Sequence, residues 1–415
     1  TMSSLFFKSM FNDLNVDNIL PNIGNNEKIN VEYCSINPTG FLHIGHARNA
    51  ILGDSIARIL SKLNYNVTKE YYVNDAGNQI NLLAESVISR YKQINNPELE
   101  FIENGYNGSE IIDLAKTLKD DDFENVKKQS MDYFIDNIKK DLKDMNIVHD
   151  VWTYESKIIQ DNYVEKALGI LKEKKYIVEG IRESKQNDKG DNEQKPLLLL
   201  KTTEFGDDFD RPLTKSDGTW PYFAPDIGYH LNKIERGFEK LICILGADHD
   251  SYAKRIKIAT NLLKSDIKYD IILVQMVSFE HDEKIFKFSK RLGNSIRTKE
   301  FLKTVEIDVL RFIILDKSPN TFFVFDYEKA LSLSMQNPIF YCHYAFARAN
   351  SLLNNSNITA SDDTDLSSDI FEEEEMQELL IHLNLFQDNL IKSSKELSPF
   401  VLTQYSCKLK YKVKF

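Results

Sequence analysis

The sequence predicts an α/β protein with a Rossmann-like, doubly wound parallel sheet, which is split by a long insertion and followed by an all-α C-terminal domain. Two observations support this prediction. Strand-like and helix-like segments alternate in four units, an order typical of parallel sheets that bind ligands at the carboxyl ends of their strands. From about residue 308 onward, apolar residues recur at helical spacing instead.

The four units follow one another along the chain. β-Branched and aromatic residues predict strands over 29–35 and 66–73, and each strand leads into a helix, ending near residues 63 and 91. Short apolar runs predict further strands over 241–245 and 270–275, with a helix over 251–263 between them.

The interruption between the second and third units covers about 92–213. It contains helical patterns over 111–118, 124–145 and 155–173, and its polar stretch over 184–195 predicts a surface loop.

The C-terminal part carries an aromatic stripe and an alternating tail. The stripe favours core packing over a base-stacking surface, and its members are Phe340, Tyr341, Tyr344 and Phe346. The tail, 407–415, alternates charged and apolar residues and predicts a strand or an irregular end.

Composition sets only broad limits on function. A chain of 415 residues with 42% hydrophobic content has room for two or three packed domains. We find no apolar run long enough for a membrane helix, no secretory signal and no paired cysteines, so we expect a cytoplasmic protein without a metal site or a disulfide framework. The net charge of −11 reflects acidic runs at 120–122 and 372–375 that are typical of solvated surfaces, so it does not exclude a nucleic-acid partner.

The first chemical signature lies between the first strand and the first long helix. An Asn-Pro-Thr-Gly turn at 37–40 is followed by His43 and His46, which flank Gly45. Imidazoles and free backbone N–H groups at a helix N-terminus favour a phosphate chain. Two histidines in this spacing more often have a structural role when they stand alone.

The second signature, Lys287-Phe288-Ser289-Lys290, follows the last predicted strand. Lysines there suit a triphosphate whose charge grows as pyrophosphate leaves. A basic loop alone is usually solvated surface, but each of these signatures follows a strand of the same predicted sheet.

The two signatures resemble those of class I aminoacyl-tRNA synthetases, and the flanking motifs are similar to those of the arginyl-tRNA synthetase family within that class. This resemblance covers about residues 28–405. The motifs are Val31-Glu32-Tyr33, Asn37-Pro38-Thr39-Gly40, Gly45-His46-Ala47-Arg48, the segments 71–79, 215–219 and 222–227, Gly246-Ala247-Asp248-His249, and the helical segments 308–312 and 337–341.

The resemblance implies that ATP, as a substrate with Mg²⁺ on its phosphates, activates arginine to arginyl-adenylate, from which arginine is transferred to tRNA(Arg). It also implies that tRNA binds before activation, and a monomer without membrane contact. Carried over by motif, the catalytic residues would be His43, His46, Lys287 and Lys290, and the ATP-binding residues would be Ile44, Gly45, Ser289, Asp248 and His249.

The residue types themselves support arginine as the amino acid. A guanidinium needs planar, bidentate acceptors, which carboxylates provide. Glu32 ends the first strand, and Asp226 follows Tyr222. The resemblance assigns these three residues and Asn37 to arginine binding, whereas each acid alone is equally consistent with a salt bridge or a helix cap.

The resemblance also predicts the domain organisation. We expect a remnant N-terminal extension over 1–27, a catalytic nucleotide-binding domain over 28–91 and 214–305, a connective insertion over 92–213, and an incomplete helical anticodon-binding domain over 306–415. The protein thus resembles the family shortened at both ends. The alternative is a degenerate paralogue or fragment that binds tRNA or nucleotide without productive charging. A small-molecule ligase or nucleotidyltransferase of the same fold is disfavoured by the C-terminal helices.

Overall fold

The computed structural model describes residues 4–14, 20–181, 196–275, 277–281, 284–286, 297–332, 334, 337–355 and 368–412. The predicted surface loop over 184–195 and the second signature, with Lys287, Ser289 and Lys290, lie outside these residues.

The described chain contains helices and strands in the order expected for an α/β protein. The helices are α1 (Ser4–Asp13), α2 (Ile44–Lys62), α3 (Asn78–Asn95), α4 (Ser109–Ala115), α5 (Phe123–Asp144), α6 (Glu155–Gln160), α7 (Tyr163–Glu173), α8 (Phe223–Glu235), α9 (Asp250–Leu263), α10 (Thr298–Phe301), α11 (Ile307–Leu315), α12 (Tyr327–Leu331), α13 (Pro338–Asn355), α14 (Glu374–Lys395) and α15 (Phe400–Lys412). The strands are β1 (Lys28–Glu32), β2 (Asn66–Val73), β3 (Val151–Tyr154), β4 (Ile177–Gly180), β5 (Leu197–Leu200), β6 (Arg211–Pro212), β7 (Lys240–Gly246), β8 (Lys268–Val274), β9 (Val277–His281), β10 (Lys284–Phe286) and β11 (Phe323–Asp326).

The predicted parallel sheet is confirmed. Five strands lie in the order β3-β2-β1-β7-β8, and every neighbouring pair is parallel. Successive side chains of a strand point to opposite faces, and β7 accordingly supplies two cores: Ile242 and Ile244 pack in the core that contains α2, whereas Leu241 and Cys243 pack with α7, α8 and α9. Helices therefore cover both faces of the sheet.

The insertion is more closely joined to the sheet than its sequence predicts. Strand β3 lies within 92–213, yet it pairs in parallel with β2, from Glu70 opposite Val151 to Val73 opposite Tyr154. A separate antiparallel sheet, β4-β5-β6, forms the later part of the insertion. The single helix predicted over 155–173 is also interrupted, because Asn162 adopts a left-handed backbone conformation with φ 59° between α6 and α7.

The C-terminal part is helical as predicted, but core packing of the aromatic stripe is wrong for two of its members, because Tyr344 is 50% and Phe346 is 70% exposed. Two further differences concern the regular elements. Strand β11 lies beyond residue 306 and pairs in parallel with β9 in a second sheet, β10-β9-β11. The prediction of a strand or an irregular end over 407–415 is wrong in its described part, because helix α15 extends to Lys412. Tyr405 of α15 stacks on His382 of α14, with ring centroids 4.8 Å apart, so packing against α14 overrides the alternating pattern.

Helix α2 connects the five-stranded sheet to the C-terminal helices. It begins at Ile44, directly after His43, and near its other end Ile59 packs with Leu390 of α14 in a buried cluster. The N-terminal helix α1 packs on the same C-terminal part, where Phe7 contacts Phe371. No described helix is both long and apolar enough to cross a membrane.

Gly53 brings α2 close to the end of β1. A Cβ atom at Gly53 would lie 2.2 Å from Cγ of Tyr33, which is fully buried. We expect Gly53→Ala to lower the free energy of unfolding by about 1–3 kcal/mol through overpacking. Gly169 is the matched control, because it is also helical but a Cβ there meets nothing within 4 Å. Gly169→Ala should stabilise the protein by about 0.5–1 kcal/mol, and denaturant unfolding of both variants measures the contrast. An unfolding free energy of Gly53→Ala equal to that of the wild type would contradict the close approach.

Candidate active site

The carboxyl ends of β1, β7 and β8 surround a cavity of about 540 Å³, here called the nucleotide cleft. The cleft lies where a doubly wound sheet is expected to bind its ligand. Its lining includes His43, Gly45, His46, Asp248 and His249, so the structure brings together five of the residues predicted to contact ATP.

The two histidines of the first signature are stacked at the start of α2. Their ring centroids are 3.5 Å apart, and the backbone N–H of His43 donates to Nδ1 of His46 at 3.3 Å. When Nδ1 is an acceptor, a neutral imidazole carries its proton on Nε2 and can donate it to a phosphate oxygen. Gly45 leaves room for this stack, since a Cβ there would lie 2.9 Å from Nδ1 of His43. Ile44 is fully buried in the core, so a nucleotide could meet only its backbone.

The described segment that begins at Arg297, after the second signature, contacts the first signature. Arg297 forms an antiparallel bridge with His43, and the N–H of Thr298 donates to the carbonyl oxygen of Leu42 at 2.9 Å. Strand β10 ends at Phe286, the residue before Lys287. The described segment that follows the second signature therefore lies beside the first.

Asp248 and His249 lie on a short 3₁₀ turn that follows β7. Both side chains are exposed, and Oδ2 of Asp248 is 3.6 Å from Nε2 of His249. Both line the nucleotide cleft, and the exposure of both leaves them open to a ligand.

A second cavity, of about 350 Å³, adjoins the cleft and is here called the carboxylate pocket. The four residues predicted to bind arginine, Glu32, Asn37, Tyr222 and Asp226, all line it. The two cavities share lining residues, namely Ser35, Asn37, Leu245 and His249. A ligand in the pocket can therefore reach a nucleotide in the cleft.

Glu32 forms a buried ion pair within the pocket. Its Oε2 lies 2.6 Å from Nζ of Lys233, which is fully buried, and its Oε1 accepts a hydrogen bond from Ser35 at 3.2 Å. The salt bridge that sequence reasoning left open is therefore present, at a residue that also lines the pocket.

Asp226 lies in the first turn of α8 and accepts a hydrogen bond from the hydroxyl of Tyr252. Burial raises the pKa of Asp226 well above its usual range, and the charges of Glu155 and Glu32 raise it further. A cation bound in the pocket would counter both effects and favour the ionised form. The residue before Asp226, Pro225, is compatible with the first turn of α8. A proline has no N–H group, and the N–H groups of a first helical turn have no intrahelical partner.

Glu155 is a third pocket carboxylate, which the sequence analysis missed. It is 5% exposed, accepts a hydrogen bond from the hydroxyl of Tyr72 at 3.1 Å, and has a pKa raised by burial. Glu155 is the first residue of α6 and directly follows β3. The sequence feature that could have identified it is the aromatic strand 151–154, because that strand joins the parallel sheet. Three carboxylates with one lysine suit a cationic ligand.

The other two predicted arginine-binding residues, Asn37 and Tyr222, contact the segment around Gly77 and Gln79. Nδ2 of Asn37 donates to Oε1 of Gln79 at 2.7 Å. Tyr222 is 55% exposed, and its hydroxyl approaches Gly77, where a Cβ would lie 3.1 Å from it. Asn37 and Tyr222 both line the pocket, and these contacts hold them against the segment around Gly77 and Gln79.

Comparison with protein families gives two matches that together cover most of the chain. Residues 10–332 match the tRNA synthetases class I (R), catalytic domain, and residues 342–414 match the DALR anticodon binding domain. Similarity therefore extends beyond the expected limits of about 28 and 405. The second match includes most of the tail over 407–415.

Similar proteins include arginine–tRNA ligases of several bacteria. That of Ehrlichia chaffeensis is 40% identical over 92% of this chain and 69% of its own length. That of Geobacillus kaustophilus is 38% identical over 93% of this chain and 69% of its own length.

Solved structures show the same likeness. An arginyl-tRNA synthetase structure from Campylobacter jejuni superposes with a TM-score of 0.84 at 30% identity, covering 99% of this chain and 90% of that one. The Thermus thermophilus arginyl-tRNA synthetase shares the fold, with a TM-score of 0.74 at 19% identity over 98% of this chain and 77% of that one.

Proposed function

The chain belongs to the class I arginyl-tRNA synthetase family, and we propose from this premise that it is an arginine–tRNA ligase. It would activate arginine with ATP to arginyl-adenylate and transfer the arginine to tRNA(Arg). The observation that carries the proposal is the pair of adjoining cavities, one at the helix N-terminus with its two histidines and the other lined by three carboxylates.

In the first step, the carboxylate of arginine attacks the α-phosphate of ATP and pyrophosphate leaves. Charge develops on the phosphate oxygens, and donors fixed in advance stabilise it best. His43 and His46 at the start of α2 would supply such donors, and the helix N-terminus adds its free N–H groups. Lys287 and Lys290 remain predicted to neutralise the leaving pyrophosphate, and Mg²⁺ would arrive bound to the ATP phosphates.

The carboxylate pocket would select arginine by its guanidinium. Asp226 is a half-buried acceptor and Glu155 is a buried one, and burial raises the pKa of both. A planar cation with several donors satisfies both, whereas lysine offers a point charge and leaves acceptors unpaired. Glu32 is held in its position by Lys233, at 2.6 Å.

The domain assignment follows the same premise. We propose that 28–91 and 214–305 form the catalytic domain, that 92–213 is the connective insertion, and that 306–415 reads the anticodon region of tRNA(Arg). The match to a DALR anticodon binding domain supports the last assignment over 342–414, whereas the catalytic-domain match extends to residue 332. We also propose a monomer that acts in the cytoplasm, as the family resemblance implies, and light scattering of the purified chain tests the monomer.

The direct test is ATP–pyrophosphate exchange with purified protein. We expect exchange that requires both arginine and tRNA(Arg), with no exchange when lysine replaces arginine. Absence of exchange with both present would contradict the proposal and favour the degenerate paralogue. Exchange without tRNA would favour a small-molecule ligase.

Asp226→Asn tests the carboxylate pocket. Loss of a charged hydrogen-bond acceptor costs about 1.5–3 kcal/mol, so we expect the KM for arginine to rise about 10- to 100-fold while the KM for ATP stays unchanged. Because the free carboxylate of Asp226 has a raised pKa, the wild-type KM for arginine should rise as the pH falls, and the variant should show a weaker dependence, since Glu155 still titrates in the same pocket.

Asp270→Asn is the matched control. Asp270 is a half-exposed carboxylate on β8 that pairs with Lys240 at 2.8 Å outside both cavities. Equal effects of the two substitutions on the KM for arginine would contradict the assignment of Asp226.

A further inference from the structure

The order of the strands in the five-stranded sheet changes direction between β1 and β7. Strands β2 and β3 follow on one side of β1, and β7 and β8 lie on its other side. In an open parallel sheet, a crevice for a ligand forms at this point. The nucleotide cleft opens here, and its lining includes Cys34, Asn49 and Ile244.

The hydrogen-bond ladder between β1 and β7 ends just before the cleft. Its last pair is Glu32 opposite Cys243. Successive N–H groups of a strand alternate between its two neighbours, and since that of Tyr33 donates to β2, that of Cys34 points towards β7. If the ladder continued in the same register, the acceptor of this N–H would be the carbonyl oxygen of Ile244.

The side chain of Asn49, from α2, lies at this position of the ladder. Its Oδ1 accepts the N–H of Cys34 at 2.7 Å, and its Nδ2 donates to the carbonyl oxygen of Ile244 at 2.9 Å. One side-chain amide thus satisfies both backbone groups, with two hydrogen bonds in place of one. Because the amide lies between the two groups, the strands cannot approach to the distance of a direct hydrogen bond.

The backbone at Cys34 differs from that of a continuing strand. Its φ of 58° lies in the left-handed region, which is unfavourable for residues other than glycine. The chain therefore turns out of the sheet at this residue, and the hydrogen bond from its N–H to Asn49 helps to hold the turn.

The bridge made by Asn49 belongs to one of the two cavities. Cys34, Asn49 and Ile244 line the nucleotide cleft, but none of them lines the carboxylate pocket. A change in the spacing of β1 and β7 at this bridge should therefore affect a ligand in the cleft more than a ligand in the pocket.

We propose that Asn49 is a positioning residue for the nucleotide, because its amide replaces one hydrogen bond of the ladder and holds the ends of β1 and β7 apart where the cleft opens. This inference rests on the proposed function, which places ATP in the cleft. Asn49 sets the width of the cleft and does not recognise one particular group of the nucleotide.

The test compares the binding of ATP, adenosine and arginine by calorimetry. In Asn49→Ala, the N–H of Cys34 and the carbonyl of Ile244 are free to bond directly, so the cleft narrows. We expect the Kd values for ATP and for adenosine to rise by the same factor, about tenfold, while that for arginine stays within about twofold of the wild-type value. Equal weakening of all three ligands, a loss confined to ATP, or no change in any Kd would overturn the proposal.

Nucleoside analogues distinguish the width of the cleft from a direct contact. Asn49→Ala should weaken adenosine, 2′-deoxyadenosine and purine riboside by the same factor, because all three occupy the same space. If the substitution left one analogue unaffected, Asn49 would bond directly to the group which that analogue lacks, and the proposal would be wrong.

Asn337→Ala is the matched control. The amide of Asn337 also bridges two backbone groups, since Nδ2 donates to the carbonyl oxygen of Ala330 at 3.1 Å and Oδ1 accepts the N–H of Ile339 at 3.3 Å. It lines neither cavity. We expect a lower melting temperature and an unchanged ratio of the Kd values for adenosine and arginine. A selective loss of adenosine binding in this variant would count against a specific role of Asn49.

Asn49→Ser keeps the test decisive if Asn49→Ala fails to fold. A serine side chain is too short to reach both backbone groups at once, so it should also weaken adenosine and not arginine, and an unchanged Kd for adenosine would overturn the proposal. Pyrophosphate exchange separates the two levels of inference. A wild type that binds adenosine without exchange contradicts only the proposed function, whereas one that binds neither ATP nor adenosine contradicts both.

Discussion

Replacement of His46 by asparagine is expected to lower arginine- and tRNA-dependent ATP–pyrophosphate exchange by about 100- to 1,000-fold, the effect of removing one preorganised donor to a developing oxyanion. An asparagine amide can occupy the position of the Nδ1 atom, which accepts from the N–H of His43 in the wild type. The variant therefore keeps this contact at the start of α2 and loses the donor at Nε2, together with the ring that stacks on His43.

His46→Gln is the control for this substitution, because a glutamine amide reaches the position of Nε2 instead. We expect it to retain more exchange activity than His46→Asn, with melting temperatures of both near that of the wild type. Full activity in His46→Asn would show that His46 has only a structural role, the interpretation that the two-histidine spacing favours when it stands alone.

Replacement of Arg236 by alanine is expected to lower the free energy of unfolding by about 3–5 kcal/mol, because it leaves a buried charge without its partner. Glu70 is fully buried in the middle of the sheet, and both of its oxygens bind Arg236, at 2.8 and 2.6 Å. Asn30 and Thr153 also donate to it, each at 2.5 Å.

The loss should depend on pH in a defined direction. Burial alone would raise the pKa of Glu70, but the hydrogen bonds from Arg236 and the charge of Lys233 lower it to about 2. A carboxyl group whose folded pKa is depressed stabilises the protein above its unfolded pKa and loses that stabilisation as the pH falls through the folded value. The difference between wild type and variant should therefore be largest near neutral pH and should shrink as the pH approaches 2.

Urea unfolding at several pH values measures this difference. Lys240→Ala is the control, because Lys240 pairs with a half-exposed carboxylate, Asp270, and surface pairs contribute about 0–1 kcal/mol. If Arg236→Ala cost no more than Lys240→Ala at neutral pH, the ion pair with Glu70 would not stabilise the sheet.

The local sequence pattern was sufficient to predict the regular elements and to identify the two signatures. Strand β2 has the predicted bounds, 66–73, and α2 begins within two residues of its predicted start at His46. These elements were predictable because their period and their turn residues lie within a few positions of one another. For the same reason, the order of strands and helices predicted the parallel sheet.

Contacts between distant residues were not predictable in this way. Strands β3 and β11 are short, and their partner strands are distant in the sequence. Glu70 and Val151, which pair between β2 and β3, are 81 positions apart. Val277 and Phe323, which pair between β9 and β11, are 46 positions apart. Glu155 became visible as a pocket residue only once β3 joined the sheet, and helix α15 formed against an alternating pattern because α14 supplies a surface to pack on.

The sequence by itself determined the fold class, the family resemblance and the residue types of the site, because these are properties of local spacing and composition. The roles of the individual site residues stay predictions. Only the tertiary structure decided that the nucleotide cleft and the carboxylate pocket adjoin, that Lys233 holds Glu32, and that Arg48 of α2 donates to three distant carbonyl oxygens, those of Gln275, Ser318 and Thr321. Each of these depends on side chains that meet across 200 or more residues, such as Glu32 and Lys233, 201 positions apart, and burial and charge at such contacts are set by packing and not by neighbouring residues in the chain.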